Sequence, residues 1–320
     1  MKPALAPQQL DEVLEGLLAR DKHLPCKLLY DARGAELFEQ ICTLDAYYPT
    51  RTEVALLETN LPAIATAVGP SARVIEPGSG EGIKTQLLLA ALDRPVGYVP
   101  IDVSGEQLVH TAVALRAKFP GLIVQPVCGD YTGALVVPPA PAAVARTLVF
   151  FPGSTIGNFE PDAARRFLAR LGEVAGPNAM LLLGADSNAD REALLRAYDD
   201  PEGVTAAFDL NILAHLNRTH AATFDLEAFT HRAVWNAGRS RVEMHLVSRR
   251  DQTVRVGAWK ISFAADEAIV TEHCYKHTPA ALGALLAGAG WQVRDVFADP
   301  HGRMRLWLAE TAPRRGRSVE

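Results

Sequence analysis

One stretch limits the folds open to this chain more than any other: Val74-Ile75-Glu76-Pro77-Gly78-Ser79-Gly80-Glu81-Gly82-Ile83-Lys84-Thr85. A β-branched run reaches an acidic residue, glycines follow, and Gln86-Leu87-Leu88-Leu89-Ala90-Ala91-Leu92 then has a helical pattern. That is strand, tight turn, helix. Glycines let the backbone take positive φ and approach a ligand closely, and the helix N-terminus beyond them presents unpaired N–H groups. Roughly twenty residues on, Gly97-Tyr98-Val99-Pro100-Ile101-Asp102 ends a second apolar strand on an acid, where a carboxylate can take both hydroxyls of a ribose. An ordinary strand-to-helix turn carries the same glycines; the placing of Asp102 turns the reading toward a nucleoside-bearing ligand.

The spacing Gly-x-Gly-x-Gly departs from the dinucleotide fingerprint Gly-x-Gly-x-x-Gly. Glu76, just before the turn, would repel a diphosphate. It suits a cationic or zwitterionic ligand, as the methionine part of S-adenosylmethionine (SAM) would be.

Strand and helix then alternate. Ser104 opens a helix to about Lys118, with Glu106 near its first turn, and Gly121 to Cys128 reads as a third strand. Arg146 to Phe151 is a fourth strand, Pro161 to about Ala175 a helix, and Met180 to Asp186 a fifth strand. Such βαβ repetition implies an α/β fold with a mostly parallel, helix-covered sheet. Before it lie helical patterns over Gln8–Leu18, Ala35–Ile41 and Thr52–Ala67, a loop over His23–Gly34 and an aromatic turn over Asp45–Arg51.

After Asp190 the pattern changes. Helices to about Arg218 give way to an alternating, hairpin-like signal from Phe229 to Lys276, best read as a second lobe. A helix over Pro279–Gly288 and strands over Trp291–Phe297 and Arg303–Ala309 complete a seven-stranded sheet with one reversed edge.

Composition excludes several function classes. The 320 residues carry a net charge of −5, so a polyanionic partner is not expected. No apolar run reaches the roughly 18 residues of a membrane span, and Met1 to Gln8 lacks a signal-peptide apolar core, so a cytoplasmic location is expected. Cys26, Cys42, Cys128 and Cys274 are too scattered for a zinc site or disulfide framework, and His273 and His277 lack helical ligand spacing, so no metal is expected.

Polar candidates recur just past the carboxyl ends of the strands, where open α/β sheets bind ligands: Gly78-Ser79-Gly80, Asp102, Asp130-Tyr131 and the loop Gly153 to Asn158. Asp102 suits a ribose and Asp130 an adenine amino group, with Tyr131 packing near the base. Lys84 reads either as a solvated helix lysine or as a cation meeting a cofactor or domain carboxylate. Asn158 reads either as a cap for the Pro161 helix or as an amide that can donate to a carboxylate and accept from an amine. Tyr47-Tyr48 fits packing or a pocket. Glu272 fits a solvated strand position, a pair with Lys276, or a ligand contact. Cys274 reads as an unreactive wall thiol.

Taken together, several stretches resemble one family. They are Tyr30 to Phe38, Ala46 to Glu53, Glu76-x-Gly78-Ser79-Gly80, Lys84-Thr85, Gly153 to Asn158, Ala197 to Phe208, Arg241-Val242-Glu243-Met244 and Thr271-Glu272. The resemblance, over about residues 25 to 310, is to the histidine-specific SAM-dependent methyltransferases, the family of the first enzyme of ergothioneine biosynthesis. It implies a class I, Rossmann-like methyltransferase domain (residues 53–189 plus 278–310), an α+β amino-acid-binding lobe (8–52 plus 190–277) and a flexible tail (311–320). It implies three methyl transfers from SAM to the α-amino group of L-histidine, leaving S-adenosylhomocysteine and trimethylhistidine (hercynine), by a monomer.

By motif, Gly78, Ser79, Gly80, Lys84, Asp102, Asp130 and Tyr131 would contact SAM, with Tyr30 near the transferring methyl. Asn158 and Tyr198 would hold the substrate carboxylate and amine, and Tyr47 would complete that pocket. Tyr30 and Asn158 are thus the catalytic candidates. Glu272 would accept an imidazole N–H, the residue two positions on would make a second ring contact, and Met244 would line the ring pocket. That second contact is usually serine in the family and is Cys274 here, a poorer hydrogen-bond partner. The same chemistry on another amino acid, such as an aromatic one, or a non-catalytic SAM- or amino-acid-binding protein are the alternatives.

Overall fold

The computed structural model describes residues 7–80, 82–133 and 135–312. The expected flexibility of the tail, including its basic run from Pro313 to Arg317, and the expected placing of the Glu106 side chain and of Glu81 lie outside what is described. The first half of the chain runs α1 (Pro7–Leu18), α2 (Ala32–Thr43), α3 (Tyr48–Val68), β1 (Ala72–Pro77), α4 (Ile83–Ala91), β2 (Gly97–Asp102) and α5 (Gly105–Lys118). Then come β3 (Ile123–Val124), β4 (Val127–Cys128), β5 (Arg146–Phe151), α6 (Pro161–Ala175), β6 (Met180–Asp186), α7 (Arg191–Tyr198) and α8 (Val204–Thr219). The rest is β7 (Phe229–Asn236), β8 (Arg241–Ser248), β9 (Gln252–Val256), β10 (Trp259–Phe263), β11 (Ala268–Tyr275), α9 (Pro279–Gly288), β12 (Trp291–Ala298) and β13 (Met304–Thr311). These elements form two compact units, Met1–Tyr48 with Ala189–Lys276, and Pro49–Asn188 with His277–Glu320.

The second, larger unit is an α/β sandwich around one sheet of order β12-β13-β6-β5-β1-β2-β3, with β4 also paired to β2. The period-2 alternation of strand side chains sorts its apolar residues into two layers. Leu148, Phe150 and Leu182 pack on one face with Leu57 and Ile64 of α3 and Leu88 of α4. Val149, Phe151, Leu181 and Leu183 pack on the other with Phe167, Leu168 and Leu171 of α6 and Leu286 of α9. β1, β2, β5 and β6 are parallel, so their carboxyl ends share one rim.

Two sequence expectations are corrected here. The third strand is split, because Pro126 falls between β3 and β4, opposite Pro100 of β2 in the shared register, and neither proline offers an N–H to the ladder. The reversed strand is not at the edge: β13 runs antiparallel to both β6 and β12, and β12 is the edge.

The smaller unit has its own core, in which α1, α2 and α8 pack against a sheet of order β11-β8-β7 and a separate β9-β10 hairpin. The alternation over β9 and β10 thus belongs to a second sheet, and β11 returns to the first. The stretch read as a loop contains a 3₁₀ turn at Cys26–Leu29, and α2 begins at Ala32, earlier than its apolar periodicity suggests. Asp31 caps α2 by accepting from the Gly34 N–H, and a Cβ at Gly34 would fall 1.7 Å from the Leu29 carbonyl oxygen. The helix read from Thr52 starts at Tyr48, since Pro49 is tolerated in a first turn.

Candidate functional site

In the larger unit, the turn after β1 takes left-handed glycines at Gly78, Gly80 and Gly82, with φ of 71°, 47° and 72°. The Gly78 N–H donates to the Ile101 carbonyl at 2.7 Å, tying the turn to β2. Asp102 ends β2 there, and its carboxylate accepts from the Gly80 N–H at 3.3 Å and the Ser104 N–H at 3.1 Å. A carboxylate has about four lone-pair sites, so two backbone donors leave acceptor capacity for a diol.

A Cβ at Gly78 would lie 3.3 Å from the Tyr131 ring, and nothing stands within 4 Å of one at Gly80. Gly78, Ser79, Gly80, Asp102 and Tyr131 are therefore brought together. Tyr131 packs edge-on to Phe151 and tilted to Phe167. Asp130 Oδ1 accepts from the Thr132 N–H at 2.8 Å and its hydroxyl at 2.5 Å, fixing the loop after β4. Beneath the turn, Glu76 is 2% exposed, and its Oε2 accepts from the Tyr98 hydroxyl at 2.6 Å and the Thr85 hydroxyl at 2.5 Å. Burial pushes its carboxyl up to about 7, against the pull of those hydrogen bonds and of Lys84. An open glycine backbone, a free-sided carboxylate, an aromatic face and a buried acid fit a nucleoside with a cationic tail, as SAM is.

Lys84 meets a domain carboxylate, since it is ion-paired with Glu53 of α3. Glu53 also accepts from the Gly153 N–H at 2.9 and 2.8 Å, holding the start of the loop that carries Asn158. Gly184 makes room for it, because a Cβ there would fall 1.7 Å from Glu53 Oε1. Asn158 closes a 3₁₀ turn, Thr155–Asn158, and is half-buried; the cap position of α6 belongs to Glu160, which settles the capping alternative against Asn158.

In the smaller unit, Tyr30 lies between the Cys26–Leu29 turn and α2, edge-on to Phe38 and Phe208 at 5.4 Å each. Burial first, then the charge of Glu272, hold its hydroxyl well above the ordinary tyrosine range, with Tyr47, Cys26 and Cys274 also in electrostatic reach. Tyr47 meets Tyr198 edge-on at 6.1 Å. Met244 of β8 is the register partner of Glu272, and the β11–β8 register shifts between Val270 and Glu272. That bulge lets Thr271 and Glu272, neighbours in sequence, both be buried, at 1% and 7%. Glu272 is therefore not a solvated strand residue. The Cys274 thiol donates to Glu272 Oε2 at 3.7 Å. Tyr30, Tyr47, Tyr198, Met244, Glu272 and Cys274 thus gather in one unit.

Sequence reasoning missed Glu53 in the larger unit and three residues in the smaller one. Lys276, 4% exposed, donates to the Tyr198 hydroxyl at 2.9 Å. His231 and Asp209 are buried against each other at 2.7 Å. Glu53 and Lys276 stood in plain view as charges flanked by site motifs; His231 and Asp209 had no sequence signal, since their partnership spans a helix and a strand. Among the described residues, no cluster of three or more His, Cys, Asp or Glu could hold a metal ion, and no helix is long and apolar enough to cross a membrane.

The sheet order and glycine turn are those of a Rossmann-like methyltransferase domain of class I. A family model described as histidine-specific methyltransferase, SAM-dependent, matches residues 9–311. The histidine N-alpha-methyltransferase of Mycolicibacterium smegmatis is 43% identical over 93% of each chain, and that of Mycobacterium tuberculosis 42% over 93% of each. Ergothioneine biosynthesis protein 1 of Neurospora crassa is 34% identical over 64% of this chain and 24% of its own. The chain belongs to the histidine-specific, SAM-dependent methyltransferase family and is an enzyme.

Proposed function

We propose that the protein methylates the α-amino group of L-histidine, three times in succession, to give trimethylhistidine in ergothioneine biosynthesis. The observation that carries this is the 43% identity to a histidine N-alpha-methyltransferase over 93% of both chains. We assign SAM to the larger unit and histidine to the smaller. Asp102 takes the ribose, Asp130 the adenine amino group, Tyr131 the base and Gly78-Ser79-Gly80 the methionine end. Lys84 serves through Glu53 and the Gly153 loop. Glu272 accepts an imidazole N–H, with Cys274 and Met244 along the ring. Tyr198 and Asn158 hold the carboxylate and amine, Tyr47 closes the pocket, and Tyr30 stands near the methyl.

Bound SAM would supply an electrophilic methyl on a sulfonium. The chain's own residues then have to orient a neutral amine in line with it and keep water away, which is positioning and desolvation more than acid–base work. The elevated Tyr30 hydroxyl stays a phenol at neutral pH, so it acts as a hydrogen-bonding group and not as a base. Anchors at both ends of the substrate, the carboxylate and the imidazole, let the amine turn between rounds. The enzyme acts as a monomer.

Incubation of pure protein with SAM and each of the twenty amino acids, read by mass spectrometry, tests this. The expected product is trimethylhistidine with three equivalents of S-adenosylhomocysteine per histidine. Methylation of another amino acid in preference to histidine overturns it.

A further inference from the structure

Tyr198 is the last residue of α7, and a histidine–aspartate pair buried in the smaller unit holds it. The His231 side chain is 1% exposed and that of Asp209 is 0%. His231 Nδ1 lies 2.7 Å from Asp209 Oδ2, and Nε2 lies 2.8 Å from the Tyr198 carbonyl oxygen. A carbonyl and a carboxylate can only accept, and a neutral imidazole has a single N–H. A neutral ring would set a lone pair against an oxygen at one of the two contacts.

The Thr271 hydroxyl lies 2.5 Å from Asp209 Oδ1 and 3.1 Å from the Met244 carbonyl oxygen, and with its one proton on the shorter contact it favours Asp209 as a carboxylate. The ring also faces the negative end of α7, where the last carbonyls favour a cation. Asp199 adds a second negative charge in reach. Burial is the largest single influence and works against the charged ring, yet Asp209, the Tyr198 carbonyl and Asp199 together outweigh it and leave the pKa raised. With both nitrogens committed as donors, His231 has no lone pair with which to act as a base.

At its other end Tyr198 is held by Lys276. An ammonium can only donate, so the Tyr198 oxygen accepts at 2.9 Å and the hydroxyl proton must point elsewhere. We propose that Asp209 and His231 form a standing carboxylate–imidazolium pair that positions Tyr198 at the end of α7, while Lys276 holds its hydroxyl from the other side. This deepens, and rests on, the reading of Tyr198 as a substrate residue. His231 and Asp209 are positioning residues, acting through Tyr198.

The test has two arms on the full chain. In the first, ring-¹⁵N-labelled histidines are followed by NMR without substrate, and His231 is identified by its loss in His231→Gln. Both ring nitrogens of His231 are expected to remain protonated at about pH 7.5, where exposed histidines are mostly neutral. A neutral-tautomer pattern at that pH overturns the proposal.

In the second arm, Asp209→Asn keeps the shape and removes the charge that retains the second proton. The variant-to-wild-type ratio of KM for histidine is expected to be about tenfold at about pH 7.5 and to fall toward unity near about pH 6, where the ring protonates again, with KM for SAM unchanged. A pH-independent ratio, or a loss shared equally by both substrates, makes the pair merely structural and overturns the positioning role. If wild-type protein turns over no histidine, the function reading fails, and the NMR arm still decides the state of His231.

Discussion

Both units bury carboxylates, and they treat the charge in opposite ways. In the smaller unit Asp209 is matched on one oxygen by His231 and on the other by Thr271, so the charge is settled inside the fold. In the larger unit Glu76 sits below the glycine turn with hydrogen bonds from two neutral hydroxyls, and the nearby Lys84 is committed to Glu53. Burial accordingly leaves Glu76 at about 7. A settled pair holds a fixed local geometry, whereas a buried acid whose own fold supplies only hydroxyls suits a cationic ligand.

The largest expected effect breaks the settled side. Asp209→Ala strands an imidazolium in the core and should cost on the order of 3–5 kcal/mol, measured by urea unfolding at neutral pH. A cost below about 1 kcal/mol would mean that the ring is neutral and the contrast false.

The opposite sign is expected for Glu76→Gln. The folded carboxyl sits at about 7 against an ordinary 4.5. The folded state therefore holds the proton more tightly; the stability this brings is full below the unfolded value and lost as pH rises through the folded one. At about pH 8 the wild type bears the whole burden of a buried carboxylate, on the order of 3 kcal/mol, and the glutamine variant should be more stable by a large part of it. Below about pH 4.5 the gain should vanish. The same variant should bind SAM less tightly by calorimetry, since the acid that favours a cation is gone. A variant that is destabilised at about pH 8 and binds SAM normally would place Glu76 with the scaffold.

This contrast also explains what was legible in the sequence. The strands up to β6, their mostly parallel sense and the glycine turn were readable because apolar runs and glycines act locally. Asp102 and Asp130 were readable because strand ends define the rim. The split at Pro126 was visible only as a proline, since its effect depends on Pro100 lying opposite in register. The reversed β13 lies inside the sheet, a matter of long-range pairing that no local pattern records. The proposed roles of Tyr30 near the methyl and of Tyr47, Tyr198 and Glu272 toward the substrate came from resemblance; the local backbone around them is set by a bulge at Thr271 and a cap at Asp31. Lys84 shows the remaining limit: the sequence offers a cation near a glycine turn, and only the structure says that Glu53 is its partner.

A smaller effect should follow from Lys84→Met. Glu53 keeps its bond from Gly153 but loses its counter-charge. About 1–3 kcal/mol of stability should be lost, with the Gly153–Asn158 loop loosened and KM for the amino acid raised more than KM for SAM. A rise confined to KM for SAM would instead make Lys84 a direct cofactor contact and move it from the settled to the unsettled side of the comparison.

The smallest effect is expected at Cys274→Ser, and it tests the neighbourhood of a further buried acid, Glu272. A thiol is a weak donor, and at 3.7 Å it gives Glu272 little. A serine hydroxyl donates more strongly but stands on a shorter bond, so its reach to Glu272 shrinks as its strength grows. Stability should therefore change by less than about 1 kcal/mol. Against an imidazole the balance differs, because the ring can move to meet the hydroxyl while Glu272 cannot. KM for histidine should fall by roughly two- to fivefold, equivalent to a neutral hydrogen bond of under about 1 kcal/mol, with KM for SAM unchanged. A KM that rises would show that the thiol packs against the ring as an apolar wall, and that the pocket is tuned for contact area and not for a second polar hold on the imidazole.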